Sequence, residues 1–338
     1  MFMKKKILVL HTGGTIGMHA TDRGYNTAKN HLIKLMANLT ELNSDAMPDY
    51  DVIEYEPLID SANMTPTTWN KIAEDIQSYY QKYAAFVILH GTDTMAYSAS
   101  ALSFMLENLA KPIIFTGAQL PLEAVRTDAR ENLINTFYLA SHHEFNEVGL
   151  FFHDVLFRGN RTKKTSSVRY DAFNSPNFSA LAKIETDIRW NKHLLLSPPI
   201  EGFQIRKIKK INIATIRLFP GIFPDYVDKM CSDDLAALIV GTYGVGNAPT
   251  EDKALMQAFK RAENRGVMLV NSTQCPHGTV NMQTYAVGNE LANLGFVSSF
   301  DMTMEAVIGK LYYLFSCDLK IDEIKQQFQM NLRGELTR

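Results

Sequence analysis

The chain alternates between short apolar runs and longer stretches with apolar residues at every third or fourth position. Runs at 6–10 (KILVL), 86–89 (FVIL), 112–115 (PIIF) and 148–152 (VGLFF) each lead into Gly, Thr, Asp or His. Continuous runs of this length suit strands buried on both faces. A further strand is expected at 52–58. Between the runs, 66–83, 98–109 and 127–143 carry helical spacing, with Thr65 placed as N-cap and Pro66 at the first helical position. This strand–helix alternation predicts an α/β fold: a mostly parallel open sheet, flavodoxin-like or Rossmann-like, built from right-handed βαβ units.

The pattern pauses near 190–210, where Ser197, Pro198 and Pro199 precede Arg206, Lys207, Lys209 and Lys210. It resumes with strands at 211–216, 236–240 and 267–270 and helices at 252–265, 304–315 and 322–331. The expected organisation is a larger N-terminal α/β catalytic domain at 1–190, a linker at 191–210, and a smaller C-terminal α/β domain at 211–338. The basic cluster reads as a solvated face.

In open α/β sheets, ligands bind beyond the carboxyl ends of the strands. The residues delivered there are Thr12, Gly13, Gly14 and Thr15; Asp60, Ser61 and Asn63; Thr92 and Asp93; and Thr116, Gly117 and Gln119. Adjacent glycines allow a tight turn and close backbone approach. Neither a Walker loop nor a G-x-G-x-x-G fingerprint is present there. Thr12 and Thr15 are hydroxyls that need a neighbouring base or cation to act as nucleophiles. Taken alone, Thr92-Asp93 is as readily a helix cap, and G-N-R-T-K-K-T at 159–165 a solvated basic loop. No His/Cys cluster suggests a metal site.

Composition narrows the partners. The 338 residues carry 34 Lys+Arg against 36 Asp+Glu, a formal net charge of −2, which argues against nucleic-acid binding by bulk charge. Hydrophobic residues make up 46%, enough for a packed core. Cys231, Cys275 and Cys317 form no C-x-x-C pair, and Cys275 is expected to be a small buried residue. The apolar run after Lys4, Lys5 and Lys6 is too short for a secretory signal, and no membrane span is expected. The expected location is the cytoplasm.

T-G-G-T-I-G at 12–17 and H-G-T-D-T-M at 90–95, about 75 residues apart, together resemble the two signatures of the bacterial-type L-asparaginase family. Y-G-V-G-N-A-P at 243–249 and N-L-R-G-E-L-T at 331–337 are similar to its cytoplasmic type I members. The resemblance implies an L-asparagine amidohydrolase that releases L-aspartate and ammonia through an acyl-threonine. It implies Thr15 as nucleophile, with Tyr25 in the following R-G-Y loop contacting it. Thr92, Asp93 and Lys164 match a second catalytic trio, Lys164 rather than Lys163 by its distance from R-G-N-R. Asp60, Ser61, Ala62, Thr92, Asp93 and Ala118 fall at substrate-binding positions, and Asn247 at one contributed across a dimer. Homodimers or dimers of dimers are implied, without metal or organic cofactor. Backbone N–H groups near Gly117 and Ala118 suit an oxyanion hole.

The same resemblance marks Gly241, Thr273, Gln274 and Cys275 as a possible allosteric site. Family members activated by asparagine carry Arg at the position of Gly241; Gly cannot pair a carboxylate, so hyperbolic kinetics are expected. Two other readings stand beside this one: a glutaminase-asparaginase of broader specificity, and a non-catalytic amino-acid sensor on the same fold. D-asparagine and a tRNA-linked amide are further candidate substrates. The archaeal tRNA-amidotransferase subunit with these motifs has an extra N-terminal domain, whereas Thr12 lies near the start here. The pair His142-His143 is expected at a helix end, and His90 is expected to be structural.

Overall fold

The structure, a computed structural model, describes residues 4–22, 24–141, 145–231, 234–283 and 286–337. Arg23, His142 and His143 lie outside the described residues. The chain forms two compact units, Met1–Lys207 and Ile208–Arg338.

In the first unit the strands are β1 (Lys6–Gly13), β2 (Met18–Thr21), β3 (Gly24–Thr27), β4 (Asp49–Ile59), β5 (Ala85–Leu89), β6 (Leu106–Glu107) and β7 (Ile113–Thr116). They continue as β8 (Val148–Phe152), β9 (Val155–Arg158), β10 (Lys163–Lys164), β11 (Phe173–Asn174), β12 (Ala182–Ile184), β13 (Ile188–Trp190) and β14 (Gln204–Ile205). The helices are α1 (His31–Ala37), α2 (Pro66–Tyr79), α3 (Met95–Met105) and α4 (Ala129–Ala140).

Eight strands form one sheet in the order β13-β12-β9-β8-β7-β5-β1-β4. The five from β4 to β8 are mutually parallel. Counted along the chain, these five stand in the order 2-1-3-4-5, the flavodoxin-like arrangement. Its strand order reverses at the β1/β5 pair, so the turns after β1 and β5 open on the crevice where such sheets bind ligands. Strands β5, β7 and β8 are buried at every position, which explains their uninterrupted apolar sequence. Leu32 and Met36 of α1 and Leu133 and Phe137 of α4 join Ile7, Val9, Val87 and Ile114 in one core cluster. Helix α3 packs on α2, β7 and β8, and neither helix contributes to that cluster, so they cover the opposite face.

Several helix boundaries differ from expectation: the stretch expected at 66–83 is Pro66–Tyr79, and the one expected at 322–331 is Ile321–Phe328. The stretch expected at 98–109 is Met95–Met105, and ten of its eleven residues are buried. A helix buried on all sides carries no apolar stripe to mark its ends. The stretch expected at 127–143 is Ala129–Ala140. Thr65 takes the N-cap position of α2, but its hydroxyl does not cap the helix.

The second unit holds β15 (Asn212–Arg217), β16 (Leu235–Thr242), β17 (Met268–Thr273) and β18 (Val297–Ser298), all parallel and in sequence order. Its helices are α5 (Asp225–Met230), α6 (Lys253–Asn264), α7 (Ala286–Asn293), α8 (Met304–Ser316) and α9 (Ile321–Phe328). Asp252 caps α6 by accepting the Leu255 N–H at 3.0 Å, and Leu255, Ala258, Phe259 and Ala262 form the buried face. The 331–337 motif is a clasp. The Glu335 carboxylate accepts the N–H groups of Leu332 and Arg333 and pairs with the fully buried Lys310 of α8.

Candidate active site

The nucleophile turn is shaped by two glycines. Gly13 has φ +134° and Gly14 has φ +85°. A Cβ on Gly13 would stand 2.1 Å from the Ile59 carbonyl oxygen, and one on Gly14 2.4 Å from the Gly91 nitrogen. Only bare backbone fits between the end of β4 and the turn after β5. This geometry separates the two threonines that sequence offered. Thr12 is buried, and its hydroxyl donates to the Leu89 carbonyl at 2.9 Å. Thr15 begins a short 3-10 turn, Thr15–Gly17, and its hydroxyl has no hydrogen-bond partner among the described residues.

The turn after β5 is held from beneath. His90 Nδ1 lies 2.7 Å from the Gly91 carbonyl, which can only accept, so Nδ1 carries the proton. Nε2 then accepts from the Ser98 hydroxyl at 2.8 Å, and Ser98 Oγ accepts from the Trp69 indole N–H at 2.8 Å. Complete burial lowers the His90 pKa to about 4, which keeps the ring neutral in this chain of bonds. His90 is thus structural, and it braces the turn carrying Thr92 and Asp93.

The turn after β4 is tied to the same loop. Thr94 donates its hydroxyl proton to the Ser61 carbonyl at 2.7 Å, and a Cβ on Gly91 would meet Ser61 Oγ at 2.5 Å. Asp60 accepts the Ala62 N–H at 3.0 Å. Ser61 is buried, whereas Asp60 and Ala62 are exposed. After β7, a Cβ on Gly117 would stand 2.3 Å from the His90 carbonyl oxygen, and Ala118 is buried. Four crossover turns therefore converge through glycine contacts and one threonine bond.

The cation arrives from the antiparallel part of the sheet. Beyond β9, Gly159, Asn160 and Arg161 are buried, which corrects the expectation of a solvated basic loop. The two-residue strand β10 then pairs with β11, and its neighbouring side chains point to opposite faces. Lys164 places Nζ 2.8 Å from Thr92 Oγ1 and 2.7 Å from Asp93 Oδ1. An ammonium only donates, so Thr92 accepts from Lys164; its own proton goes to Gln119 Oε1 at 3.2 Å. Gln119 is oriented in turn by its Nε2 donating to the Arg169 carbonyl at 3.0 Å. The Asp128 carboxylate grips the N–H groups of Gln119 and Leu120. Sequence reasoning noted Gln119 at its strand end without assigning it, and it missed Asp128. Neither belongs to a short motif.

The remaining sequence-derived residues are less engaged. Tyr25 lies on β3 opposite Ala20, is 52% exposed, and makes no hydrogen bond through its hydroxyl among the described residues. In the second unit, Asn247 closes a turn by exchanging backbone hydrogen bonds with Tyr243. Gly241 pairs with Arg217 across the sheet, Thr273 donates to the Gly244 carbonyl, and Gln274 Nε2 donates to the Leu218 and Gly241 carbonyls. Cys275 is exposed, contrary to the expected buried position, because it lies in the turn beyond β17. Among the described residues no cluster of three or more His, Cys, Asp or Glu is able to hold a metal ion, and no helix is long and apolar enough to cross a membrane.

Comparison with known proteins bears on the whole chain. The sequence profile described as "Asparaginase, N-terminal" matches residues 6–196, and "Glutaminase/Asparaginase C-terminal domain" matches residues 212–328. L-asparaginase 1 of Escherichia coli (strain K12) is 47% identical over 338 residues, spanning 99% of this chain and 98% of that protein. The crystal structure of L-asparaginase I from Vibrio cholerae O1 biovar eltor str. N16961 is similar with a TM-score of 0.93 at 42% identity, covering 99% of this chain and 100% of that one. The thermostable L-asparaginase from Thermococcus kodakarensis has a TM-score of 0.89 at 27% identity, with 98% and 99% covered.

Proposed function

Since the chain belongs to the asparaginase family, we propose that it hydrolyses L-asparagine to L-aspartate and ammonia through an ester on Thr15. Thr15 Oγ attacks the side-chain carboxamide carbon, and its proton is delivered to the leaving nitrogen. Ammonia departs as the C–N bond breaks. Water then attacks the ester and regenerates the Thr15 hydroxyl. Backbone N–H groups near Gly117 and Ala118 receive the charge that develops on the carbonyl oxygen.

The observation that carries this reading is the Lys164 ammonium seated on both Thr92 and Asp93, beside a turn whose Thr15 hydroxyl is uncommitted. The bond from Lys164 leaves a second Thr92 lone pair to accept a hydrogen bond. Lys164 thereby polarises Thr92, and Asp93 holds the cation in place. Asp60 and Asp93 suit the substrate's ammonium; Ser61, Thr92 and the Ala62 backbone suit its carboxylate. This mixed lining fits a zwitterionic amino acid.

Tyr25 is assigned to contact Thr15, and Asn247 to contribute from a partner subunit in a homodimer or a dimer of dimers. The enzyme is assigned to the cytoplasm and needs no cofactor. The test is ammonia release from L-asparagine by the wild type and by Thr15→Ala. The reading requires release by the first and its loss in the second; equal rates overturn it.

A further inference from the structure

Beyond the four turns, the structure assigns a positioning role to Glu123: a carboxylate clamp that fixes the β2–β3 hairpin and, through it, the Thr15 turn. The inference rests on the assignment of Thr15 as nucleophile. The hairpin begins at Met18, immediately after the Thr15–Gly17 turn, and forms a two-stranded sheet separate from the eight-stranded one. Its own pairing therefore does not anchor it to the body of the unit. Glu123 does. Oε1 accepts the Ala20 N–H at 2.8 Å, and Oε2 lies 3.1 Å from Nε2 of His31, the first residue of α1. His31 in turn lies against the His19 ring, with centroids 5.4 Å apart.

The segment bearing Glu123 is itself rigidly placed. Leu122 donates its N–H to the Ile16 carbonyl at 3.1 Å, inside the nucleophile turn. Upstream, Asp128 holds the backbone of Gln119 and Leu120, and Gln119 touches Thr92. One loop therefore sets both threonines: Thr92 through Gln119, and Thr15 from its C-terminal side, through Leu122 at Ile16 and Glu123 at Ala20. The Asp60–Ser61 turn is bound to Thr94 instead, and Glu123 has no bond to it. Loss of the clamp then weakens the chemical step more than substrate binding, because small misplacements of a reacting group are costly.

The test compares Glu123→Ala and Glu123→Gln in the full-length protein by hydrogen exchange at the Ala20 amide and by steady-state ammonia release from L-asparagine. Gln keeps an acceptor for the Ala20 N–H, and Ala removes it. In Glu123→Ala, exchange at Ala20 is expected to quicken roughly 10-fold or more. With it, kcat falls roughly 10-fold while KM stays within about 3-fold. Glu123→Gln is expected to restore most of both. Wild-type exchange and kcat in Glu123→Ala overturn the clamp, as does a change in KM alone. The exchange measurement needs no substrate. A wild type that releases no ammonia would defeat the Thr15 assignment while the exchange at Ala20 still reports on the clamp.

Discussion

Gly14 lies so close to Gly91 that a Cβ on the first would stand 2.5 Å from the Cα of the second. The turns bearing Thr15 and Thr92 are thus locked together by two residues that contribute no side chain. Gly91 is also pressed against Ser61, whose Cβ lies 2.7 Å from where a Gly91 Cβ would be. Gly91→Ala is expected to push the Ser61 turn outward. KM for L-asparagine should rise roughly 10-fold or more, and stability should fall by about 1–3 kcal/mol. Steady-state kinetics with a denaturant titration check this. An unchanged KM would remove Ser61 from substrate binding.

Lys164→Met is expected to lower kcat by roughly 10²–10⁴-fold, the range for a lost proton-transfer partner. The melting temperature should change little, since the Lys164 side chain is partly exposed and its partner Asp93 is 65% exposed. Lys163→Met, on the opposite face of β10, should retain near-normal turnover. Matched activity assays and melting curves for the two variants decide the assignment; a reversed pattern moves the role to Lys163.

The parallel half of the first sheet was legible because strands buried on both faces must be continuously apolar, as in β5 and β8. The antiparallel remainder was not. β12 and β13 are three residues each, too short to display an alternation, and β9 follows β8 through a tight turn at the positive-φ residues His153 and Asp154. Within the site, the motif residues announced themselves through glycine, threonine and aspartate at strand ends. Gln119, Asp128 and Glu123 act from one loop through backbone N–H groups and other side chains, and no local spacing rule encodes that. The tie of Lys164 to Thr92 spans 72 positions, and resemblance, not periodicity, selected it over its neighbour.

Two buried histidines make the fold sensitive to acid. Burial lowers the pKa of both His11 and His90 to about 4, against about 6.5 in an unfolded chain. Between those values the unfolded state binds more protons, so stability is fully present above pH ~6.5 and is lost as pH falls toward 4. Each ring contributes on the order of 3 kcal/mol across that window. Denaturant titrations from pH 7 to 4 should show this decline, and a His11→Gln variant should show a shallower one. A stability that stays flat from pH 6.5 to 4.5 contradicts it.

Rate curves against L-asparagine should be hyperbolic. Gly241 supplies no guanidinium, and the Gln274 side chain is already committed to two carbonyls and to Nε–H of Arg217 at 3.1 Å. A concentration series on a single oligomeric species, its mass measured in solution, checks this. Sigmoidal kinetics would restore an activating site near Gly241, Thr273, Gln274 and Cys275.

The most direct measurement is acid quenching of the enzyme during turnover of L-asparagine, followed by mass mapping of the peptide that contains Thr12 and Thr15. An aspartyl ester on Thr15, absent from Thr15→Ala and accumulating in a variant slowed at the second step, is the predicted result. An ester on Thr12 or Thr92, or continued ammonia release with Thr15 replaced, would contradict the account.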